Sequence, residues 1–396
     1  EDGKELEAYA ERRFDPIRDF QGKFHPGETY RQVKFAYGNF ECTTDLICVH
    51  LDGSLQLIEI KSSTSAKEVH IEDLAFQRLV VEDLGFTVGG TAVLHINNGY
   101  LLDGEVDPDA LFTETDVSER VNGVLELVRR ERGSAFTIAG SETIPDQSPR
   151  FCLNNDVKKE WLTVLRHLRA IPDASIYELP YLTLRQIGEL EDLGITLIAE
   201  IPDSFKLRKD QERLRDSLRR NEVNCDIVGW RDFLGQLQYP LYFLDYETLG
   251  LAVPQFQGTK PYQQVTFQFS IHVQTEPGGE LSHYEYIHRE ATSPLEPLAR
   301  ELRKAIGDSG SVIVWNEAFE RSRNTELCEA TPELADFLTS LNHRMIDLMK
   351  PFKNGRYDDP SFLGSASIKR VLPELAPDLS YKELEVQEGK SASRIW

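Results

Sequence analysis

"CTTDLICVHLDGSLQLIEIKSST", residues 42–64, holds two apolar runs either side of Asp52-Gly53. That dipeptide favours a tight hairpin, so the stretch predicts two antiparallel strands. Side chains two apart on a strand share a face, which sets Glu59 beside Lys61 and turns Ile60 to the core. Pairing about the turn brings Asp45 to the same place. Two carboxylates and an ammonium there suit Mg²⁺, which takes one or two carboxylates together with water and substrate phosphate. The lysine can orient the attacking water and offset phosphate charge. The same three residues also fit an ordinary surface salt bridge on a hairpin, and spacing alone leaves both readings open.

Working outward, Leu6, Tyr9, Ala10 and Phe14 recur at helical spacing and predict a helix over 1–20, which carries Glu7. "QVKFAYGNFEC" and "TAVLHI" read as further strands, and residues 69–84 as a helix in which Asp73 and Gln77 share one face. Gly133, Gly140 and Pro145 mark the end of this first α/β domain near residue 150.

In their order and intervals these residues resemble the PD-(D/E)XK nuclease superfamily, and most closely its RecB-like branch. The resemblance implies a restriction-endonuclease-like fold over 1–150. It makes Asp45 in "CTTDLI" and Glu59 in "EIK" ligands of Mg²⁺ or Mn²⁺, Lys61 and Gln77 their catalytic companions, and Glu7 the acidic residue of the early helix. Many such relatives carry an iron–sulfur cluster on one upstream and three downstream cysteines. Here Cys152 in "RFCLNNDVKKEW" has no cysteine at cluster spacing after it, so no such cluster is expected.

A second apolar strand, "YPLYFLDYETL" (239–249), carries Asp245 and Glu247 on one face. Two like charges on a half-buried strand are costly unless a cation compensates them. "SVIVWNEAFERSRNTELCE" (311–329) is a strand running into a helix, with Glu320 in the helix's first turn. Asp-x-Glu on a strand followed by Asn316-Glu317-Ala318-Phe319-Glu320 resembles DnaQ-like exonucleases of the RNase H-like, DEDD type. This implies a mixed-sheet domain over 236–396 with Asp245, Glu247 and Glu320 as ligands of Mg²⁺ or Mn²⁺. Asp347 in "RMIDLMKPF" is a further candidate ligand, though an Asp near this point in such chains tends to be structural. The fourth carboxylate of that pattern is expected past "GSASIKRVLPEL" (364–375), beyond Trp396 if the natural chain is longer. The longer patterns "YFLDYETLGLAVPQFQGTKPYQQVTFQFS" and "SIKRVLPELAPDLSYKELEV" resemble uncharacterised bacterial proteins fusing a RecB-like nuclease to an RNase H-like domain. Within them "GTKPYQQVTFQFS" (258–270) is the most distinctive piece, and its Gly258, Pro261 and Tyr262 read as a rigid loop close to Asp245 and Glu247. There Lys260 would touch phosphate and Tyr262 would stack on a base, or both would serve loop packing.

Residues 151–235 read as a helical linker. "LRQIGELEDLGITLIAEIP" faintly resembles a helix–hairpin–helix, and "KLRKDQERLRDSLRR" (206–220) beside it holds seven basic against three acidic residues. Lys206, Arg208 and Lys209 are its candidate DNA contacts; a linker with a solvated charged face is the alternative.

Across 396 residues the net charge is −22, which repels nucleic acid at long range but does not forbid local phosphate contacts. Five scattered cysteines favour a reducing cytoplasm over a disulfide framework, and no apolar run approaches a membrane span. The expectation is a cytoplasmic, metal-dependent nuclease acting on DNA, single-stranded or at ends, with RNA a possible substrate. The alternatives are that only the first domain cuts, or that the chain is a non-catalytic subunit with protein partners in repair or phage defence.

Overall fold

The computed structural model describes residues 2–379 except 15, 144, 145, 153 and 169. It is mixed α/β, and it divides into two compact units. The first comprises Glu1–Pro145 with Leu249–Gln264; the second comprises Asp146–Thr248 with Val265–Trp396.

The first unit runs α1 (Asp2–Arg12), β1 (Ile17–Asp19), β2 (Thr29–Tyr37), β3 (Phe40–Val49), β4 (Leu55–Lys61), α2 (Glu68–Asp83), β5 (Val88–Ile96), α3 (Pro108–Leu111), β6 (Phe112–Asp116) and α4 (Ser118–Ala139). Its six strands lie in chain order in one sheet. The β2–β3–β4 meander is antiparallel, β5 joins β4 in parallel, and β6 returns antiparallel. Asp52-Gly53 makes the expected turn, with Gly53 at φ +85° and the Asp52 carboxylate accepting from Ser54 N–H and Oγ.

Alternation along the strands divides the core between two faces. Ile47, Val49, Leu55 and Leu57 pack with Ile71, Leu74 and Ala75 of α2 and Val121 of α4. Leu46 and Ile58 point the other way, to Leu6 and Ala10 of α1 and to Val253. The helix expected over 1–20 ends at Arg12, ahead of Pro16, whose missing N–H cannot serve a helix interior.

The second unit runs α5 (Asn155–His167), α6 (Leu184–Asp192), α7 (Lys209–Arg220), β7 (Asn224–Cys225), α8 (Ile227–Leu234), β8 (Leu241–Leu249), β9 (Val265–Gln274), β10 (Leu281–Ile287), α9 (Leu295–Ala305), β11 (Ser311–Val314), α10 (Glu317–Ala330), α11 (Ala335–Arg344), β12 (Met345–Asp347), α12 (Lys350–Lys353), β13 (Tyr357–Asp358) and α13 (Ile368–Leu375). Its main sheet is ordered β10-β9-β8-β11-β12. The β9–β10 pair is antiparallel, while β8, β11 and β12 are parallel, so β8 with its two carboxylates is the central strand.

The helical stretch at 151–235 does not stand apart as a linker. Ile176, Leu179, Ile187, Leu190, Ile198 and Leu214 bury a core of their own. The two-residue β7 pairs with β13, and Arg213 bonds Asp358 at 3.3 Å, which ties the helices into the second unit. Residues 249–264, expected with the second domain, pack within the first: Leu102 N–H donates to Thr259 O, Gly258 N–H donates to Leu102 O, and Tyr262 joins the core around Val253.

Candidate active sites

Asp45 lies one residue past Leu46, the last β3 residue paired with β4 in the ladder (Leu46↔Ile58). Beyond that pair a side chain takes the backbone's place, with Asp45 Oδ2 accepting the Ile60 N–H at 2.8 Å. The carboxylate is thereby fixed against β4 where Glu59 and Lys61 emerge. Glu59 and Lys61 follow Leu55 and Leu57 on the α2 side of the sheet, and α2 answers with Asp73 and Gln77. Lys61 Nζ lies 2.5 Å from Glu59 Oε1 and 3.2 Å from Asp73 Oδ2. Gln77 Nε2 donates to Glu59 Oε2 at 2.8 Å and to Asp73 Oδ1 at 3.3 Å. Asp45, Glu59, Lys61 and Gln77 are therefore brought together, on β3, β4 and α2.

The electrostatics follow from burial. Desolvation, then the charge of Asp45, push the Glu59 carboxyl up to about 7, against the pull of Lys61 and Gln77. Desolvation also raises Asp45, opposed by the Ile60 N–H and Lys61. Burial works against the charge of Lys61, but its bonds to Glu59 and Asp73 outweigh it and hold the ammonium above its ordinary range. Gln77 Oε1 is buried without a hydrogen-bond donor. Glu7 comes within electrostatic reach from α1: desolvation and then Asp45 raise its carboxyl.

Two neighbours carried no local signal. His70, buried at the start of α2, accepts the Lys67 N–H on Nδ1, and desolvation with Lys61 lowers its pKa. Gln32 on β2 donates from Nε2 to Asp45 Oδ1 at 3.3 Å.

In the second unit, the alternation of β8 separates Asp245 and Glu247 from Tyr246. Tyr246 is buried and its hydroxyl donates to Asn324 Oδ1 of α10 at 2.7 Å; Asn324 Nδ2 in turn donates to Asn342. This bond pins the carboxylate strand to the helix that carries Glu320. Glu320 is only 3% exposed, and its Oε2 has no donor. Burial, then Asp245 and Asp347, push its carboxyl up to about 8. Asp245 is open to solvent on one side, yet surrounding protein still raises its carboxyl; Glu247 is raised by desolvation and by Asp245, with Lys369 of α13 opposing.

Asp347 is buried at the end of β12, where its Oδ1 accepts the N–H groups of Asn316 and Met349 at 3.1 and 2.9 Å. It braces the turn at Asn316, whose φ of +85° starts α10, and it faces Glu320 electrostatically. The expected segment 364–375 is placed beside this set by Ala366 O, which accepts from Trp315 Nε1, and by Lys369 near Glu247. Residues 380–396 and anything past them lie outside the described residues.

Among the described residues, no three His, Cys, Asp or Glu side chains stand together as a ready metal cage. The donor chemistry nevertheless fits a divalent ion. Burial and neighbouring carboxylates push Glu59 and Glu320 upward, and the Glu320 oxygen has no hydrogen-bond donor, a deficit that a hard cation would fill together with waters.

Tyr262, expected in a rigid loop beside Asp245 and Glu247, lies within the first unit. Its hydroxyl donates to Ser62 O, one residue after Lys61, and its φ is +60°. The reason is long-range packing: Ala252, Val253 and Tyr262 fill the core under α1. Lys260 sits in the same segment, its N–H bonded to Gln263 Oε1. Of the basic stretch, Lys206, Arg208 and Lys209 are exposed, with Arg208 paired to Asp210 and stacked over Tyr181. Arg213, Arg215 and Arg219 pair with Asp358 and Asp203, so part of the local positive charge is neutralised by carboxylates outside the stretch.

Residues 242–367, less than half of the chain, match a family model described as a domain of unknown function, DUF2779. The match spans β8 to the segment before α13, and so includes Asp245, Glu247, Glu320 and Asp347. No curated protein and no solved structure matches the chain. No helix among the described residues is long and apolar enough to cross a membrane.

Proposed function

We propose that the chain is a metal-dependent nuclease that hydrolyses phosphodiester bonds in DNA, with a PD-(D/E)XK-type site in the first unit and a DEDD-type site in the second. The observation that carries the reading is the gathering of Asp45, Glu59, Lys61 and Gln77 at the end of β4, with Glu59 raised to about 7. The six-stranded sheet between α2 with α4 and α1 supports the restriction-endonuclease-like assignment. The five-stranded mixed sheet with the carboxylate strand at its centre supports the RNase H-like one.

Asp45 and Glu59 are the first unit's ligands, and Glu7 is near enough to Asp45 to assist. A bound Mg²⁺ or Mn²⁺ would acidify its water and neutralise phosphate charge. Lys61 holds a proton-bearing group at the carboxylate edge, where it can orient the attacking water and meet a phosphate oxygen. Gln77 and Asp73 hold Glu59 and Lys61 in place. In the second unit Asp245, Glu247 and Glu320 are the ligands, and Tyr246 fixes the strand to α10.

The test is cleavage of single-stranded, double-stranded and end-blocked DNA by Glu59→Ala and Asp245→Ala. Loss in either variant supports the corresponding site; undiminished cleavage in both removes the catalytic reading. A second reading is favoured by Asp347, whose oxygen is committed to two backbone N–H groups: the second unit binds nucleic acid while the first cuts. Then Asp245→Ala changes substrate preference and leaves the cleavage rate intact.

A further inference from the structure

Gln32 has a backbone unusual for a strand. It lies within β2 at φ +47°, the left-handed region that L side chains rarely adopt and never as a matter of strand geometry. A bulge would be the ordinary explanation, but a bulge shifts the pairing register. Here Arg31 pairs with Leu46 and Val33 with Thr44, so the register on either side of Gln32 is the same. The distortion therefore accommodates no extra residue. It does shift the alternation of both strands: Tyr30 and Ile47 on one side of it and Val33, Phe35 and Cys42 on the other face the same core, with Gln32 and Asp45 at the crossing.

Opposite Gln32, between Thr44 and Leu46, is Asp45. The Gln32 carboxamide donates to Asp45 Oδ1 at 3.3 Å while the Ile60 N–H donates to Oδ2 at 2.8 Å. The carboxylate is thus gripped on both oxygens, from β2 and from β4, which fixes its plane and leaves one lone pair of each oxygen unclaimed. Strained backbone persists where the surroundings over-determine it, and it clusters where a side chain must be aimed.

Building on the metal-site reading above, we infer that Gln32 is a positioning residue that aims Asp45 at the divalent cation. Partners that orient a ligating carboxylate typically change metal affinity by about 10–100-fold when removed. Gly suits φ +47° without strain, so Gln32→Gly separates the two roles of the residue. Asn tolerates the same backbone but is one methylene short of Asp45, so Gln32→Asn serves as the second variant.

The experiment is a Mn²⁺ titration of the full chain, read by thermal unfolding and by cleavage rate, with Glu59→Gln marking the part of the response that belongs to this site. The expected result for Gln32→Gly is a metal-free melting temperature equal to or above wild type. Its half-saturating Mn²⁺ should rise at least about tenfold, with cleavage recovering as Mn²⁺ is raised; Gln32→Asn should show the same rise. An unchanged half-saturation in both variants overturns the inference and leaves the nuclease reading standing. A fall in metal-free melting temperature with unchanged affinity makes Gln32 a packing residue. If wild type shows no Mn²⁺ response that Glu59→Gln removes, the metal-site reading fails and the inference with it.

Discussion

Glu59 and Glu320 are both buried glutamates with raised carboxyl pKa values, one in each unit, but their surroundings differ. Glu59 is bonded to the Lys61 ammonium and to the Gln77 amide. Glu320 has an oxygen with no donor, and Asp245 and Asp347 face it. The first site carries an internal cation and is held together by its own hydrogen bonds. In the second, like charges gather where Tyr246 bonds the strand to Asn324 of the helix. The first cluster has a lysine bonded to its glutamate, whereas Lys369 and Arg323 act on Glu247 and Glu320 through electrostatics without offsetting their burial.

The largest expected effect follows from the first arrangement. Under the proposed nuclease reading, Glu59→Gln keeps the shape but removes a carboxylate charge and the partner of Lys61, and cleavage should fall on the order of 10²–10³-fold, as for loss of one oriented charge-stabilising group. Measured initial rates with Mg²⁺ and with Mn²⁺ check it. If instead Asp245→Asn causes the larger fall, the ranking of the two sites is reversed.

Next comes the response of the second site to metal and pH. Glu320 has an ordinary value of 4.5 and a folded value of about 8, so between those values the folded chain binds more protons than the unfolded one. Its contribution to stability is therefore present below pH 4.5 and is lost as pH rises through 8 in metal-free solution. Glu320→Gln should flatten that decline in a series of melting curves. Mn²⁺ at a hundred times its dissociation constant should restore about 2.7 kcal/mol to wild type. It should act more strongly at pH 8 than at pH 6, where protons compete for the same oxygen. An equal Mn²⁺ shift in Glu320→Gln would take this glutamate out of the ligand set.

Tyr246→Phe tests the bond on which the second site hangs. It leaves Asn324 Oδ1 buried without its donor, a loss of about 1–3 kcal/mol. Thermal unfolding should show that loss while first-site cleavage is unaffected. A variant as stable as wild type would mean that packing of α10, not this bond, sets the position of Glu320.

Much of this was legible in the residues. The alternation of β4 places Glu59 with Lys61, the Asp52-Gly53 turn brings Asp45 to them, and the helical spacing of Asp73 and Gln77 completes the set. The signals in β8 and α10 did the same for Asp245, Glu247 and Glu320. What local pattern cannot carry is where a loop packs and what a backbone angle does. α4 packs Val121, Val124, Leu125 and Val128 on the core and then runs on through Gly133, a residue that had read as part of a boundary. Gln32 has an ordinary strand sequence around an unusual φ. The 249–264 segment follows directly on the carboxylate strand, and only the packing of Val253 and Tyr262 under α1 reveals that it belongs to the first unit.

The smallest effect tests that reassigned segment. Tyr262 ends in a hydroxyl bonded to Ser62 O, on the residue after Lys61, and its backbone is held by Leu251 O, which accepts the Tyr262 N–H at 2.7 Å. Tyr262→Phe keeps the ring in the core and removes the hydroxyl, so stability should drop by about 0.5–1.5 kcal/mol, the net worth of one hydrogen bond. If the hydroxyl steadies the end of β4, first-site cleavage should slow by a few-fold while DNA binding holds, because the ring and its contacts remain. If Tyr262 instead stacks on a base, the order inverts: Tyr262→Phe, which retains the stacking face, should behave as wild type, and Tyr262→Ala should weaken DNA binding. Comparing the two variants in a binding and a cleavage assay decides whether this tyrosine serves Lys61 or the substrate.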